Sequence, residues 1–191
     1  MGKLVTFLAF FLASVIPDAL GKLLGMMLTN PHLDYALRDK LAALSNWPWT
    51  SLVFGVSFAL VASVVSERHN SVSKDEIIAF VLICPLIAII LMYGGNFVRP
   101  ILATANIPAE IFFSALQALL IALVAYHGLS IPLGSLGVLL ISLLGALLAL
   151  VVLRVPKLPI NLFEYWYSIV GTAIGFFAAR DRVSQETSIR R

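Results

Sequence analysis

The sequence predicts an all-α protein, a polytopic transmembrane bundle of about six helices with a short amphipathic interfacial helix after the first. Hydrophobic residues make up 60% of the 191 positions and charged residues only 12%. The mean hydropathy of +0.98 exceeds what a soluble core and its surface accommodate. Apolar runs of about 17 to 25 residues, the length that crosses a bilayer, recur along the chain. We therefore expect an integral membrane protein.

We expect one transmembrane domain over residues 1–179, followed by a charged tail over residues 180–191. Its predicted spans cover residues 4–29, 50–66, 77–93, 109–126, 133–153 and 162–179. The first segment leaves two alternatives because Pro17 and Asp18 interrupt it: one tilted, kinked span, or a shorter span followed by an interfacial piece, which leaves five spans. Lys3 before the apolar run is typical of a signal peptide, but a poor cleavage site follows, so we expect the segment to be retained.

The segment over residues 31–45 is predicted to be an amphipathic helix in the membrane interface. Asn30 and Pro31 form a typical helix start, with a capping side chain followed by proline in the first turn. Leucines occupy one face and most of the charged residues the other, and the helix is too short and too charged to span. The Trp-Pro-Trp sequence at residues 47–49 suits the headgroup region, where tryptophan is enriched.

Local signals also mark the third and fourth spans. Ser73 and Glu76 match the capping box, so we expect a helix to begin there. The paired glycines at 94–95 are predicted to end or bend the third span, which leaves residues 97–107 as a loop, a helix extension or a re-entrant segment. We interpret Glu110 as a helix-start residue, because the helix dipole favours an acid in the first turn.

Small residues predict the helix-packing faces of the last two spans. In the sixth span they recur every four residues, which forms one stripe where another helix can approach closely. In the fifth span small residues likewise share a face or lie beside it. A short connection joins the two spans, so we expect them to pack antiparallel against each other. The predicted helix-packing residues are Gly171, Gly175 and Ala179 in the sixth span and Gly134, Ser142, Gly145 and Ala146 in the fifth.

Three polar residues stand out within the apolar runs. Asp18 and Lys22 are four residues apart, the spacing at which opposite charges pair on a helix, and they form a candidate intramembrane charge pair. Two interpretations stay open: a functional pair that is gated or contacts a ligand, or a structural or interfacial bridge. Gln117, in the fourth span, is predicted to form an interhelical hydrogen bond.

The residues needed for chemistry are not evident in the sequence. No serine lies in a nucleophile-elbow context, the three histidines are far apart in the sequence, and Cys84 is the single cysteine. We therefore predict no catalytic residues, no metal site and no cofactor, and we expect that the protein is not an enzyme. The Lys and Arg residues are scattered between apolar runs and build no patch for nucleic acid.

The distribution of positive charge predicts the orientation. Six spans place both termini on one side of the membrane. Lys and Arg on that side outnumber those on the other: Lys3, Arg68, Lys74, Arg180, Arg182, Arg190 and Arg191 against Arg38, Lys40, Arg99, Arg154 and Lys157. By the positive-inside rule, both termini are cytoplasmic, in a bacterial-type inner membrane. If the first segment does not cross the membrane, the termini lie on opposite sides and the excess of Lys and Arg on one side disappears.

Two functions fit these features. The first is a non-catalytic membrane subunit of a larger assembly or an oligomeric pore, whose partners are the lipid bilayer and either copies of itself or other membrane subunits. The alternative begins from the Ala9-Phe-Phe-Leu-Ala13 segment, a small-residue pair in the first helix. The chain is similar to the vitamin-binding subunits of energy-coupling-factor transporters in three respects: this residue pair, the chain length and the number of helices. That resemblance implies a six-helix solute-binding subunit of a multi-component importer.

Overall fold

The computed structural model describes residues 3–30, 34–44, 47–66, 73–131, 133–155 and 165–189. All regular structure in these residues is helical, which confirms the predicted all-α class. The helices are α1 (Lys3–Leu28), α2 (Tyr35–Leu44), α3 (Trp47–Ser66), α4 (Lys74–Thr104), α5 (Ala109–Gly128), α6 (Gly134–Arg154) and α7 (Trp166–Ile189).

Six of the helices form a closed ring in which each packs against two neighbours. Their order around the ring is α1, α3, α4, α5, α6 and α7, and α7 packs extensively against α1. Contacts between α1 and α7 run in opposite directions along the chain, because Phe10 lies beside Gly175 while Asp18 binds Ser168. The first and last helices are therefore antiparallel, as alternating passes by six helices require.

A column of aromatic side chains fills much of the interior of the ring. Phe54 and Phe58 of α3 lie with ring centroids 5.0 Å apart. Phe58 also contacts Phe10 of α1 at 4.8 Å and Phe80 of α4 at 6.1 Å, while Phe54 contacts Tyr167 of α7 at 5.1 Å. All five side chains are buried, so this column joins four helices in one core.

In the described part of the chain, four helices, α1, α4, α5 and α6, are long and apolar enough to cross a membrane. Helix α3 contains a shorter apolar stretch, Pro48–Val64. Leucine, isoleucine and valine side chains are exposed along the outside of α1, α3, α4 and α6, as expected for a surface that faces lipid rather than water. The fold therefore supports a membrane-spanning protein.

The third predicted span differs most from the observed helix. The predicted capping box is confirmed, because the Ser73 side chain accepts a hydrogen bond from the Glu76 backbone and the Glu76 side chain accepts one from the Ser73 backbone. The helix then continues through residues 94–95 to Thr104, where the sequence predicted an end or a bend. Gly95 is buried against the Phe113 ring of α5, and this close packing compensates for the low helix propensity of glycine.

Two other boundaries also differ. The predicted interfacial helix over residues 31–45 corresponds to α2, and residues 31–33 and 45 lie outside the described residues. The helix of the last span does not end at Ala179, because α7 continues to Ile189. The first residues of that span, 162–164, lie outside the described residues.

Candidate functional site

A cleft of about 950 Å³ opens between the helix ends at one end of the bundle. Its walls come from the C-terminal halves of α1 and α4 and the N-terminal parts of α3, α5 and α7. Side chains of both charge signs line it, together with polar and aromatic groups. Among the described residues, the charged ones in its lining are Asp18, Lys22, Arg99 and Glu110.

The carboxylate of Asp18 is held by the first turns of α7. One carboxylate oxygen accepts a hydrogen bond from the Ser168 backbone N–H and another from the Ser168 hydroxyl, each at 2.6 Å. Pro17 precedes the acid inside α1 without ending the helix. Asp18 is only 9% exposed, and a negative charge near the N-terminus of α7 interacts favourably with that helix dipole. The hydrogen bonds of Asp18 therefore link α1 to α7 beside the cleft.

Lys22 lies one turn further along α1 and contacts Tyr165. Its ammonium donates a hydrogen bond to the Tyr165 hydroxyl and lies 3.6 Å from the centroid of that ring. The Lys22 charge also interacts electrostatically with Asp18. The candidate charge pair is thus part of a larger network that joins α1 to the start of α7.

Tyr167 lines the cleft and connects three helices through hydrogen bonds. Its hydroxyl hydrogen-bonds with the Ser51 hydroxyl of α3 and accepts one from the Gln117 amide of α5 at 3.3 Å. Gln117 and Tyr167 are both buried. The structure therefore places Gln117 in an interhelical hydrogen bond, directed at a residue that also lines the cleft.

Trp166, beside Tyr167, is fixed by a chain of two hydrogen bonds. Its indole N–H donates to the Ser114 hydroxyl at 2.9 Å, and that hydroxyl donates to the Gly145 carbonyl at 2.7 Å. All three residues are buried. This chain links α7, α5 and α6 and holds an aromatic ring rigidly in the cleft wall.

Arg99 and Glu110 lie on the wall formed by α4 and α5. Both side chains are exposed and line the cleft. Among the described residues, neither side chain has a hydrogen-bond or ion-pair partner. They differ in this respect from Asp18 and Lys22, whose polar atoms already contact α7.

The glycine stripe of α7 packs mainly against α1, which corrects the predicted pairing with α6. A Cβ atom added at Gly175 would lie 2.5 Å from Phe10 Cβ, and one at Gly171 would collide with Ser14. Ala179 is buried in the continuation of the stripe. Contacts between α6 and α7 are sparse by comparison. The stripe is therefore occupied by a helix of the same chain.

The small residues of α6 face α5 instead. A Cβ atom at Gly145 would lie 2.6 Å from the Ser114 carbonyl oxygen, and the Ser142 hydroxyl donates to the Ala115 carbonyl at 3.1 Å. Ala146 is half-buried beside them. Gly134, the first residue of α6, has a φ of +61° and no heavy atom within 4 Å of an added Cβ, so it serves the turn rather than a packing face.

The small-residue pair of α1 also has a role inside the bundle. Ala13 is buried, and its carbonyl accepts a hydrogen bond from Ser57 of α3 at 2.8 Å. Ala9 is half-buried. The pair is therefore not an open outward face.

The sequence does not identify Ser114, Trp166 and Tyr167, which line the cleft, or Ser168, which binds the cleft residue Asp18. One signal was present in α5: Glu110, Ser114 and Gln117 follow the spacing i, i+4 and i+7, which places a polar stripe on one face of an apolar helix. Ser168 carried no comparable signal, because its partner Asp18 is 150 positions away.

Within the described part of the chain, no three His, Cys, Asp or Glu side chains come close enough together to hold a metal ion. Comparison with protein-family models, with curated proteins and with solved structures found no match for this chain. The chemistry of the cleft is accordingly the basis on which a function is inferred.

Proposed function

We propose that this protein binds a small solute in the cleft and serves as the membrane-embedded recognition subunit of an importer. The observation that carries the proposal is the cleft itself: it measures about 950 Å³, and the described residues that line it include two acids, two bases and three aromatic rings in a largely apolar bundle. Small-molecule sites usually combine an apolar wall with a few fixed polar groups, and clefts between helices of a bundle are common places for them.

The energetic cost of placing charged side chains among membrane helices supports a ligand-binding role for the charged residues of the cleft. Ionisable side chains among membrane helices are expensive, and they generally mark a pathway or a binding site. Asp18 and Tyr167 are held by neighbouring helices, so the wall they form is preorganised. A preorganised wall lowers the entropy lost when a ligand binds.

The proposal includes a membrane topology. Helices α1, α3, α4, α5, α6 and α7 each cross, α2 lies in the interface, and both termini are cytoplasmic in a bacterial-type inner membrane. The antiparallel relation of α1 and α7 and the positive-charge distribution support this arrangement. The cleft then opens on the side opposite the termini, which suits capture of a solute from outside the cell.

The hypothesis of an oligomeric pore has less support, because its main argument was the small-residue faces. Gly171 and Gly175 pack against α1, and Gly145 packs against α5. These residues are used within one chain and offer no open surface to a second copy. Association with other membrane subunits remains part of the proposal, since an importer needs an energy-supplying module.

Two glycine variants test solute binding. Gly25 lines the cleft, and an added Cβ there meets nothing within 4 Å, so Gly25→Leu should narrow the cleft without disturbing the fold. Gly94 has equally open surroundings but lies outside the cleft lining, so Gly94→Leu is the matched control. Native mass spectrometry of the detergent-extracted protein should show a bound small molecule in the parent and in Gly94→Leu, and its loss in Gly25→Leu.

The absence of any bound small molecule from the parent, or its equal retention by Gly25→Leu, would contradict binding in the cleft. Copurification tests the importer role separately. A stable complex with an ATPase-bearing module supports import, whereas a homo-oligomer without other subunits supports the pore.

A further inference from the structure

Within the described lining of the cleft, two charged side chains lack a partner, and both lie on the wall nearest the α4–α5 connection. Gly95 of α4 packs against Phe113 of α5. Arg99 follows Gly95 by four residues and Glu110 precedes Phe113 by three, so each lies on the same helix face as the packed residue, one turn nearer the α4–α5 connection. A base and an acid therefore lie on the same wall of the cleft, each one turn beyond the contact between Gly95 and Phe113.

The other two charges of the cleft are engaged by the protein. Asp18 accepts two hydrogen bonds from Ser168, and Lys22 contacts Tyr165. Arg99 and Glu110 are thus the charged groups best placed to exchange water for a ligand. Their charges cancel, and so do those of Asp18 and Lys22, so the described lining as a whole favours a ligand without net charge.

The wall below these charges is apolar. Leu91 and Met92 of α4 and Phe113 of α5 line the same cleft. Methionine side chains adapt to ligands of varied shape, and the aromatic ring offers a flat contact surface. A ligand that fits this wall has an apolar body attached to a charged head.

We propose that the ligand is an amphipathic zwitterion, with its anionic group bound by Arg99, its ammonium group bound by Glu110 and its apolar body against Leu91, Met92 and Phe113. This inference rests on the proposed solute-binding function and specifies the chemical class of the solute. A ligand with a single charge leaves one of the two side chains unpaired in a partly desolvated cleft, which lowers its affinity.

Two sources supply this chemistry: a free amino-acid-like solute, and the headgroup of a zwitterionic phospholipid. The first is represented by L-phenylalanine and the second by dihexanoyl-phosphatidylethanolamine. Phenethylamine and 3-phenylpropionate carry the ammonium or the carboxylate alone on a similar apolar body. Dihexanoyl-phosphatidylglycerol provides an anionic lipid for comparison.

Isothermal titration of the detergent-solubilised protein with these probes tests the inference. At least one zwitterion should bind about tenfold more tightly than both singly charged analogues, since a charge-assisted hydrogen bond contributes on that scale. Binding of L-phenylalanine alone indicates a free solute, and binding of the ethanolamine lipid alone indicates a headgroup. Either result supports a zwitterionic ligand.

Charge-removing variants locate the two halves of the ligand. Arg99→Gln and Glu110→Gln should each weaken binding of the zwitterion about tenfold. Arg99→Gln should not weaken binding of phenethylamine, and Glu110→Gln should not weaken binding of 3-phenylpropionate, because each variant removes a charge of the same sign as that probe. Arg154→Gln removes an exposed base outside the cleft lining and should not change the affinity for the zwitterion or for either singly charged probe. Because all three side chains are exposed, the variants should fold like the parent.

The inference is overturned if no zwitterion binds, if a singly charged probe binds as tightly as the zwitterion, or if Arg99→Gln and Glu110→Gln do not alter zwitterion affinity. The mass-spectrometric comparison of Gly25→Leu with Gly94→Leu separates this failure from failure of the proposed function. Should that comparison reveal a bound neutral or singly charged molecule, solute binding stands and the zwitterion does not.

Discussion

The Asp18 carboxylate on α1 accepts two hydrogen bonds from Ser168 on α7, one from the backbone N–H and one from the hydroxyl. These bonds close the helix ring between the first and last helices of the bundle. Because the acid is nearly buried, its charge requires such donors. Asp18, one half of the predicted charge pair, thus has a structural partner on another helix.

Removal of the Ser168 hydroxyl should destabilise the bundle. A hydrogen bond to a charged group contributes about 1.5–3 kcal/mol, and Ser168→Ala removes one such bond while the backbone donor remains. Equilibrium unfolding in mixed detergent micelles measures this loss. Thr104→Val is the control, because the Thr104 hydroxyl donates to the Ile101 carbonyl of its own helix and the side chain is exposed. Equal stability of Ser168→Ala and Thr104→Val would contradict the structural role of the bond.

A single methyl group at Gly175 should be enough to disrupt the contact between α1 and α7. The added Cβ would lie 2.5 Å from Phe10 Cβ, so the helices must separate, and overpacking of this kind costs about 1–3 kcal/mol. Gly94→Ala introduces the same methyl group where nothing lies within 4 Å, and it should be neutral or slightly stabilising. The two variants are compared by unfolding in detergent. A loss of stability in Gly94→Ala as large as that in Gly175→Ala would show that the close approach is unimportant.

The elements that the sequence predicted well are those set by local chemistry. The capping box at Ser73 begins α4, and the apolar runs became helices near their predicted positions. The continuation of α4 past residues 94–95 was missed because the compensating contact, Gly95 against Phe113, joins two helices. A local propensity cost can be calculated from sequence, but the packing that offsets it cannot.

The partner of the glycine stripe was mispredicted for a related reason. A short connection favoured α6, the helix before α7, whereas the observed main partner is α1 at the other end of the chain. Small residues indicate that a helix approaches closely but carry no information on which helix it is. The ring closes because α1 presents Phe10 and Ser14 at the heights of Gly175 and Gly171, and that complementarity becomes visible only in three dimensions.

Loss of the Ser114 hydroxyl should affect Trp166 directly. The buried indole N–H would then lose its acceptor, and an unsatisfied buried donor costs about 1–3 kcal/mol. Ser114→Ala should therefore unfold more easily and shift the tryptophan fluorescence of the folded protein. Ser142→Ala is a close control, because Ser142 also donates to a carbonyl between α5 and α6 but accepts nothing from tryptophan among the described residues. A fluorescence shift of the same size in Ser142→Ala would argue against the Trp166 assignment.

The opening of the cleft to the outside of the cell is the prediction on which import depends. Asn106 lies in the α4–α5 connection, is exposed, and belongs to the end of the bundle that contains the cleft. Ser184 lies near the opposite end, on the last turns of α7. In a Cys84→Ala background, Asn106→Cys should react in intact cells with a membrane-impermeant thiol reagent, and Ser184→Cys should react only after the membrane is permeabilised. Labelling of Ser184→Cys but not Asn106→Cys in intact cells would reverse the orientation, and a cleft open to the cytoplasm could not capture an external solute. Labelling of both in intact cells would instead place the two positions on the same outer side, which is incompatible with crossings by all three intervening helices, α5, α6 and α7, and therefore with the six-span topology.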